Sequence, residues 1–239
     1  MTHPVWPLFD LRVRTPRLEL RYIDDEMATE LALLATKGIH DADFMPFTIP
    51  WSLEPSPVLE RNTMQFYWRC RAETSPTDWS INLATLVDGT VVGTTGLMAK
   101  GFPILRQFET GSWLGRAFQG QGIGKEMRIA TLHLGFLGLA GEIATTSAWE
   151  DNGPSLGVTN SLGYTHASQR RGVRQATASV MQHFEMSRSD FSARLQRADI
   201  ELVGVEPCMN LLGLEPPERL STSAPASERK YSHARRPAQ

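Results

Sequence analysis

Glu109-Thr-Gly-Ser-Trp-Leu-Gly-Arg-Ala-Phe-Gln-Gly-Gln-Gly-Ile-Gly-Lys125 is the stretch whose reading decides the fold. It reads as a strand from Glu109 to Leu114, a turn, a glycine-rich loop and the first turn of a helix. Gly120, Gly122 and Gly124 alternate with larger residues, so the backbone can come close to a ligand and aim successive N–H groups at it. A helix N-terminus adds partial positive charge at the same point. Together these features make an anion site suited to a phosphate or pyrophosphate.

Spacing narrows the choice of ligand. A Walker-type loop needs Gly-x4-Gly-Lys-Ser/Thr, but Gln119 stands five positions before Gly124 and Glu126 follows Lys125. The hydroxyl that would hold magnesium is missing, which disfavours an NTPase. A dinucleotide fingerprint is Gly-x-Gly-x-x-Gly early in a βαβ unit, whereas this is Gly-x-Gly-x-Gly late in the chain. What remains is Gln-x-x-Gly-x-Gly, Gln119-Gly120-Gln121-Gly122-Ile123-Gly124, which resembles the acyl-CoA pyrophosphate loop of the GNAT (GCN5-related) N-acyltransferases. The plainer alternative is a loop that only turns a strand into a helix. The order of strand, loop and helix and the further marks below tell against it.

One such mark is Thr15-Pro16-Arg17-Leu18-Glu19-Leu20-Arg21, followed by Asp24 and a helix. It resembles the opening of the ribosomal-protein alanine acetyltransferase (Rim) branch. Another is Asn152-Gly153-Pro154-Ser155, then a short helix, then Leu162-Gly163-Tyr164, similar to the family's Asn-x-x-Ser/Ala and Gly-Phe/Tyr pattern. Trp6 to Arg12, Met45 to Phe47 and Gly111 to Gly115 further resemble actinobacterial Rim-like proteins, a branch that includes succinyltransferases.

Composition bounds the function from outside. The chain has 239 residues, 41% hydrophobic and 21% charged, with a net charge of -2. These proportions suit one globular domain with a substantial core, and they supply no overall basic field for nucleic acid or anionic lipid. A short basic stretch, Arg235-Arg236, stands alone near the C-terminus. Cys70 and Cys208, in unrelated contexts, read as free thiols of a reducing compartment. The first residues lack the basic and apolar order of a signal peptide, and Leu132 to Ala140 is too short to span a bilayer. A cytoplasmic location, with no membrane and no nucleic-acid partner, is the expectation.

In chain order, alternation predicts a first strand over Thr15 to Tyr22, then a helix starting at Asp24-Asp25 and stopping at Gly38. Residues 39–57 form an aromatic, proline-punctuated loop, equally suited to covering the core or lining a pocket. A helix over Pro57 to Ala72 follows. Trp79 to Leu86 and Val91 to Met98 pair through the hairpin turn at Asp88-Gly89, with Gly93 and Gly96 marking a bulge or close approach. Arg106 to Arg116 is the fourth strand, Gly124 to Phe136 the core helix and Gly141 to Trp149 the fifth strand. Asn152 is an N-cap candidate, and Tyr164 to Arg171 with Ala176 to Met186 make a hairpin around Gly172. Ser189-Asp190 caps a last helix to Arg197, and Ile200 to Val205 reads as an edge strand. The boundaries are thus a lead-in over 1–13, a domain over 14–206 and an extension over 207–239, disordered from about residue 215 by its composition.

The resemblance implies an α/β (α+β) GNAT fold: a central mixed, largely antiparallel sheet, splayed between its fourth and fifth strands and flanked by helices. It implies transfer of an acyl group from acetyl-CoA to an amine, with succinyl-CoA as the alternative donor. The acceptor is a protein N-terminus, a lysine or a small molecule, and a homodimer is the family habit. Backbone groups of Trp113 and Leu114 would pair with pantetheine, and Gln119, Gly120, Gln121, Gly122, Ile123 and Gly124 would hold the pyrophosphate beside Lys125. Asn152 and Ser155 would contact the donor as well. Glu109 matches an acidic position that serves as general base, and Ser155 is the acid candidate for the leaving thiolate. The plain readings beside these are an edge glutamate and a capping serine. The tyrosine that many members carry after the asparagine is absent, since Leu156 to Asn160 occupy those positions. His40, His133, His166 and His183 show no metal spacing, so no metal is assigned; His133 reads as structural and His40 as near the acceptor. A rival class is a CoA-binding sensor or scaffold without catalysis.

Overall fold

The computed structural model describes residues 3–41 and 43–215. Two short strands, β1 (Arg12–Arg14) and β2 (Glu19–Tyr22), lead to helices α1 (Asp25–Thr36) and α2 (Val58–Ala72). The central strands are β3 (Asp78–Val87), β4 (Thr90–Lys100) and, after a single helical turn α3 (Phe102–Leu105), β5 (Gln107–Leu114). Helix α4 (Ile123–His133) continues through a π-helical turn into β6 (Ile143–Trp149) and α5 (Gly153–Leu162). The long hairpin β7 (Thr165–Arg174) and β8 (Thr177–Ser187), helix α6 (Arg188–Arg194) and β9 (Glu201–Val203) complete the described elements.

These strands form one sheet in the order β7-β8-β6-β5-β4-β3-β2-β1-β9. Every neighbouring pair is antiparallel except β5 with β6. Strand alternation sends successive side chains to opposite faces. On one face Met27 and Leu31 of α1 and Tyr67 of α2 bury against Ala84 and Leu86 of β3. On the other, Met127, Ala130 and Leu134 of α4 and its continuation bury with Leu83, Leu97 and Phe108. The Phe108 ring meets Phe136 edge-on at 5.2 Å, and Phe136 stacks on Phe191 of α6 at 4.8 Å. Helix α1 starts where Asp24 accepts a hydrogen bond from the Met27 N–H at 2.8 Å, the cap its acidic opening suggests.

The structure departs from the sequence reading at three places. The single first strand over Thr15 to Tyr22 is two strands: Pro16 lies in a turn, and Arg12, Val13 and Arg14 pair with Arg21, Leu20 and Glu19. The alternation runs through that turn because Thr15 and Leu18 close it by a backbone bond of 2.9 Å without breaking the polar–apolar rhythm. As a result the strands read as fourth and fifth are β5 and β6. The second hairpin turns at Gln175-Ala176, both at positive φ, and not at Gly172. Gly172 lies within β7, where the Trp149 ring passes 3.3 Å from the place a Cβ would occupy. Helix α6 is capped by Ser187, two residues before Ser189.

Residues on both sides of the anticipated domain join the core. Leu8, Leu11 and Val13 are fully buried, and β9 pairs with β1. Cys208, Leu212 and Leu214 are buried as well, while the tail anticipated to be disordered falls beyond residue 215, outside the described residues. Among the described residues no helix is long and apolar enough to cross a membrane.

Candidate active site

The sheet opens at one place. Strands β5 and β6 pair only at Gln107 with Ile143, Phe108 with Ala144 and Glu109 with Thr145, then run on to Leu114 and Trp149 without each other. Thr110 is the wedge. Its hydroxyl donates to the Thr145 carbonyl at 3.3 Å, and its own carbonyl accepts from Thr146 Oγ1 at 3.1 Å. Side-chain bonds therefore replace the ladder at the apex. Beyond it β5 offers an unpaired edge to the cleft. The Gly115 N–H donates to Val92 of β4, so by alternation Trp113 also turns its backbone toward β4 and Ser112 and Leu114 face the cleft. Of the pair expected to meet an extended ligand, Leu114 is oriented for it. Trp113 is not: its carbonyl lies 2.3 Å from the position of a Cβ on Gly93, an approach only glycine allows. That close approach is the role of Gly93.

The glycine loop lies where β5 ends. Gly120 and Gly122 have φ of 73° and 77°, the left-handed region, and Gly122 is the residue that precedes α4. The backbone N–H groups of residues 120–125 have no acceptor within the described protein. Six free donors at a helix N-terminus are an arrangement that can hold an anion. Gln119 plays a different part from the one expected of it: its side-chain amide donates to the Ile39 and Leu114 carbonyls at 2.8 and 2.9 Å, bracing the loop against β5. Lys125 is exposed and forms no ion pair among the described residues. Arg116, in the helical turn after β5, pairs with Asp41 at 2.8 Å.

A second cation reaches this loop that sequence reasoning had placed in a strand. Arg17, on the turn between β1 and β2, pairs with Glu126 at 2.6 Å and donates to the Gln121 carbonyl at 3.4 Å. Burial pushes the Glu126 carboxyl up, but hydrogen bonds from Thr15 and Arg17 outweigh it and hold the group below its ordinary range. The signal was in the quoted Thr-Pro-Arg-Leu motif, whose arginine has a partner 109 residues away.

On the α1–α2 face, at the apex of the cleft, stands Glu109. It is exposed beside a cavity of about 410 Å³ whose walls include Cys70, Glu73, Asp78, Met98 and Lys100. Ser147 of β6 donates to Glu109 Oε1 at 3.5 Å, and its hydroxyl lies 2.8 Å from His183 Nδ1 of β8. Asn152 caps α5, accepting from the Ser155 N–H at 3.2 Å. The Ser155 hydroxyl is half-buried and has no partner among the described residues.

Loop 39–57 packs Phe47, Trp51 and Trp113 in a row, with ring centroids 5.4 and 5.9 Å apart. Both His40 nitrogens are held inside this loop, by Ser52 Oγ at 2.7 Å and the Asp41 carbonyl at 2.8 Å. Arg174, from the tip of the β7–β8 hairpin, donates to the Met45 carbonyl at 3.0 Å and pairs with Asp151, tying hairpin, loop and the start of α5 together. His133 is buried and structural: the Ile129 carbonyl and the Arg197 N–H occupy its two nitrogens, each at 2.9 Å. Among the described residues no group of three or more His, Cys, Asp or Glu side chains is placed to hold a metal.

The other face of the apex holds Arg128 of α4, which the sequence reading passed over. It is 4% exposed, has no ion-pair partner among the described residues, and donates from Nη2 to Thr110 Oγ1 at 2.8 Å. Its Nε has no partner, and the Tyr164 ring lies 6.0 Å from the guanidinium carbon. An arginine among Met127, Ala130 and Thr131 on the buried side of a helix was the available signal.

Comparison with known proteins agrees with this geometry. The profile of the acetyltransferase (GNAT) domain matches residues 17–165, more than half of the chain. Similar solved structures include a GCN5-related N-acetyltransferase from Brucella melitensis, with TM-score 0.62 and 18% identity, covering 76% of this chain and 80% of that one. A GNAT-family acetyltransferase from Bacillus anthracis has TM-score 0.60 and 17% identity over 74% and 99% of the two chains. RimL, a ribosomal-protein alpha-N-acetyltransferase in complex with coenzyme A, has TM-score 0.59 and 17% identity over 72% and 95%.

Proposed function

Because the chain belongs to the acetyltransferase (GNAT) family, we propose that it moves an acyl group, acetyl in the first instance, from acyl-CoA to a primary amine. The observation that carries this reading is the run of six free backbone N–H groups over residues 120–125 at the mouth of the β5–β6 cleft. That cradle, flanked by Arg17 and Lys125, suits a pyrophosphate, and the open edge of Ser112 and Leu114 suits an extended amide chain. The thioester supplies an activated acyl carbon. Glu109 takes the proton from the acceptor ammonium, so that the nitrogen lone pair is free to bond. The Leu114 N–H is placed to donate where negative charge develops, and Ser155, whose hydroxyl is free, is the donor for the departing sulfur. Asn152 holds Ser155 in place through its cap. The reading includes a protein N-terminus, lysine or small amine as acceptor, a cytoplasmic setting and a homodimer.

Titration calorimetry with acetyl-CoA tests the donor site, and release of CoA thiol tests turnover. Binding near one per chain, with turnover abolished in Glu109→Gln, supports the reading. Binding without turnover on any amine favours a CoA sensor, and no binding of any CoA species removes the proposal.

Succinyl transfer is the second reading, and Arg128 favours it. A buried cation without a counter-charge costs several kcal/mol unless something neutralises it. Arg128 reaches Thr110 at the apex, the end of the cleft toward which an acyl group would point, so a donor with a terminal carboxylate would complete it. Under this reading wild type prefers succinyl-CoA over acetyl-CoA by about tenfold or more, and Arg128→Met loses the preference while keeping acetyl-CoA. Equal use of both donors by wild type leaves acetyl as the donor and Arg128 as a support for Thr110.

A further inference from the structure

Glu109, Ser147 and His183 come from three neighbouring strands and stand in one row on the α1–α2 face. Register sets this. Glu109 pairs with Thr145, two residues before Ser147 on the same face of β6, and Ser147 is directly opposite His183 on β8. The hydroxyl of Ser147 lies 2.8 Å from His183 Nδ1 and 3.5 Å from Glu109 Oε1. The first contact is a full hydrogen bond, and the second is at the long end, as catalytic bonds often are before substrate tightens the site. His183 is half-buried, so its ring is within reach of water. The charged side chains on the same face of its own and neighbouring strands are Glu185, Arg170 and Arg174, with Glu109 one strand further across the sheet.

We propose that Ser147 and His183 form a proton exit for Glu109. The proposal rests on the acyl-transfer reading, in which Glu109 gains one proton per turnover and must lose it before the next. With the Ser147 hydroxyl turned to the unprotonated Nδ1 of His183, its oxygen is free to accept. The Glu109 carboxylic acid gives its proton to Ser147 Oγ while Ser147 gives its own to Nδ1. The hydroxyl is regenerated, Glu109 returns to carboxylate, and the imidazolium releases one proton to water. One proton enters and one leaves. Imidazole suits the last position because it is the ordinary side chain that exchanges protons near neutrality. A Ser–His contact that merely joined two strands would serve equally well with any hydrogen-bonding pair and would not need Glu109 at its end.

The test is steady-state turnover of acetyl-CoA with a short peptide carrying a free N-terminus and one lysine, in weakly buffered solution. Wild type, Ser147→Ala, His183→Asn and Glu109→Gln are compared across pH. The exit predicts that kcat falls about tenfold or more in Ser147→Ala and His183→Asn. KM for acetyl-CoA stays unchanged, the pH dependence of kcat alters, and added imidazole restores His183→Asn. Nitrogen NMR of the His183 ring gives a reading that needs no substrate: its titration should change in both Ser147→Ala and Glu109→Gln. Wild-type rates and pH profiles in Ser147→Ala and His183→Asn, with Glu109→Gln inactive, would overturn the exit and leave the acyl-transfer reading standing. A His183 titration unmoved by either substitution would overturn it too. Absence of turnover in wild type on this peptide and on every small amine supplied in its place would remove both.

Discussion

Gly122→Ala and Gly124→Ala, two substitutions of one hydrogen by one methyl group, separate the conformational role of the glycine loop from its packing. Gly122 has φ of 77°, and a Cβ there would lie 3.5 Å from Arg17 Nη2, an ordinary contact. The cost is therefore almost wholly that of a left-handed alanine, about 1–2 kcal/mol. For a domain of this size that corresponds to a fall in Tm of about 2–8 °C. Gly124 has no positive φ, and its Cβ would meet Leu114 Cδ1 at 3.6 Å, also ordinary contact. In helical conformation alanine is better than glycine by about 0.8–1 kcal/mol, so Gly124→Ala should hold or raise Tm. Binding magnifies the contrast. A chain that relieves its strain at position 122 rotates N–H groups away from the cradle, and each charge-assisted bond lost costs about 1.5–3 kcal/mol. Acetyl-CoA affinity should then fall tenfold to over a hundredfold in Gly122→Ala and change little in Gly124→Ala. Differential scanning fluorimetry and titration calorimetry on both variants provide the measurements. Wild-type affinity in Gly122→Ala would refute the backbone cradle, and equal destabilisation by the two substitutions would refute the conformational argument.

Two titrating groups give separate windows of acid sensitivity, and one glycine tests the core. Burial pulls the His133 pKa below its ordinary 6.5, against hydrogen bonds that raise it, so the stability it contributes is complete above that pH and declines as pH falls through the folded value. Denaturation midpoints should fall below about pH 6.5 in wild type and flatten there in His133→Gln. Glu126, held below its ordinary 4.5, contributes stability that is complete above that value and lost as pH falls through the folded pKa; Glu126→Gln should remove this second, more acidic step. Gly135→Ala would place a Cβ 2.2 Å from Phe108 Cζ in the π-helical turn. Overpacking there should cost about 1–3 kcal/mol in chemical denaturation, and adding Phe108→Leu should recover part of it.

Much of the fold was legible because its determinants are local. Asp24 before α1, Asp88-Gly89 between β3 and β4, Asn152 before α5 and Gly163 after it each act on their own turn of chain, and each occupies the place its chemistry suggests. The glycine loop belongs to the same class: Gly120 and Gly122 adopt left-handed conformations that glycine accepts freely and other residues resist. The turn at Gln175-Ala176 shows the limit of that logic, since there strand pairing imposes positive φ on residues that do not favour it.

Side-chain partnerships were decided by tertiary structure. Whether Trp113 or Leu114 turns its backbone to the cleft depends on which edge of β5 is already paired with β4, and the strand's own residues do not specify that. Ser147 meets Glu109 and His183 across separations of 38 and 36 residues, and Arg17 meets Glu126 across 109. Arg128 looks like any helical arginine until α4 is laid against Thr110. From the sequence alone came the strand–loop–helix with its glycines and the acidic residue at the opposite end of the same strand. The assembled sheet then determined which groups face the site, because register and packing join residues whose positions in the chain carry no trace of each other.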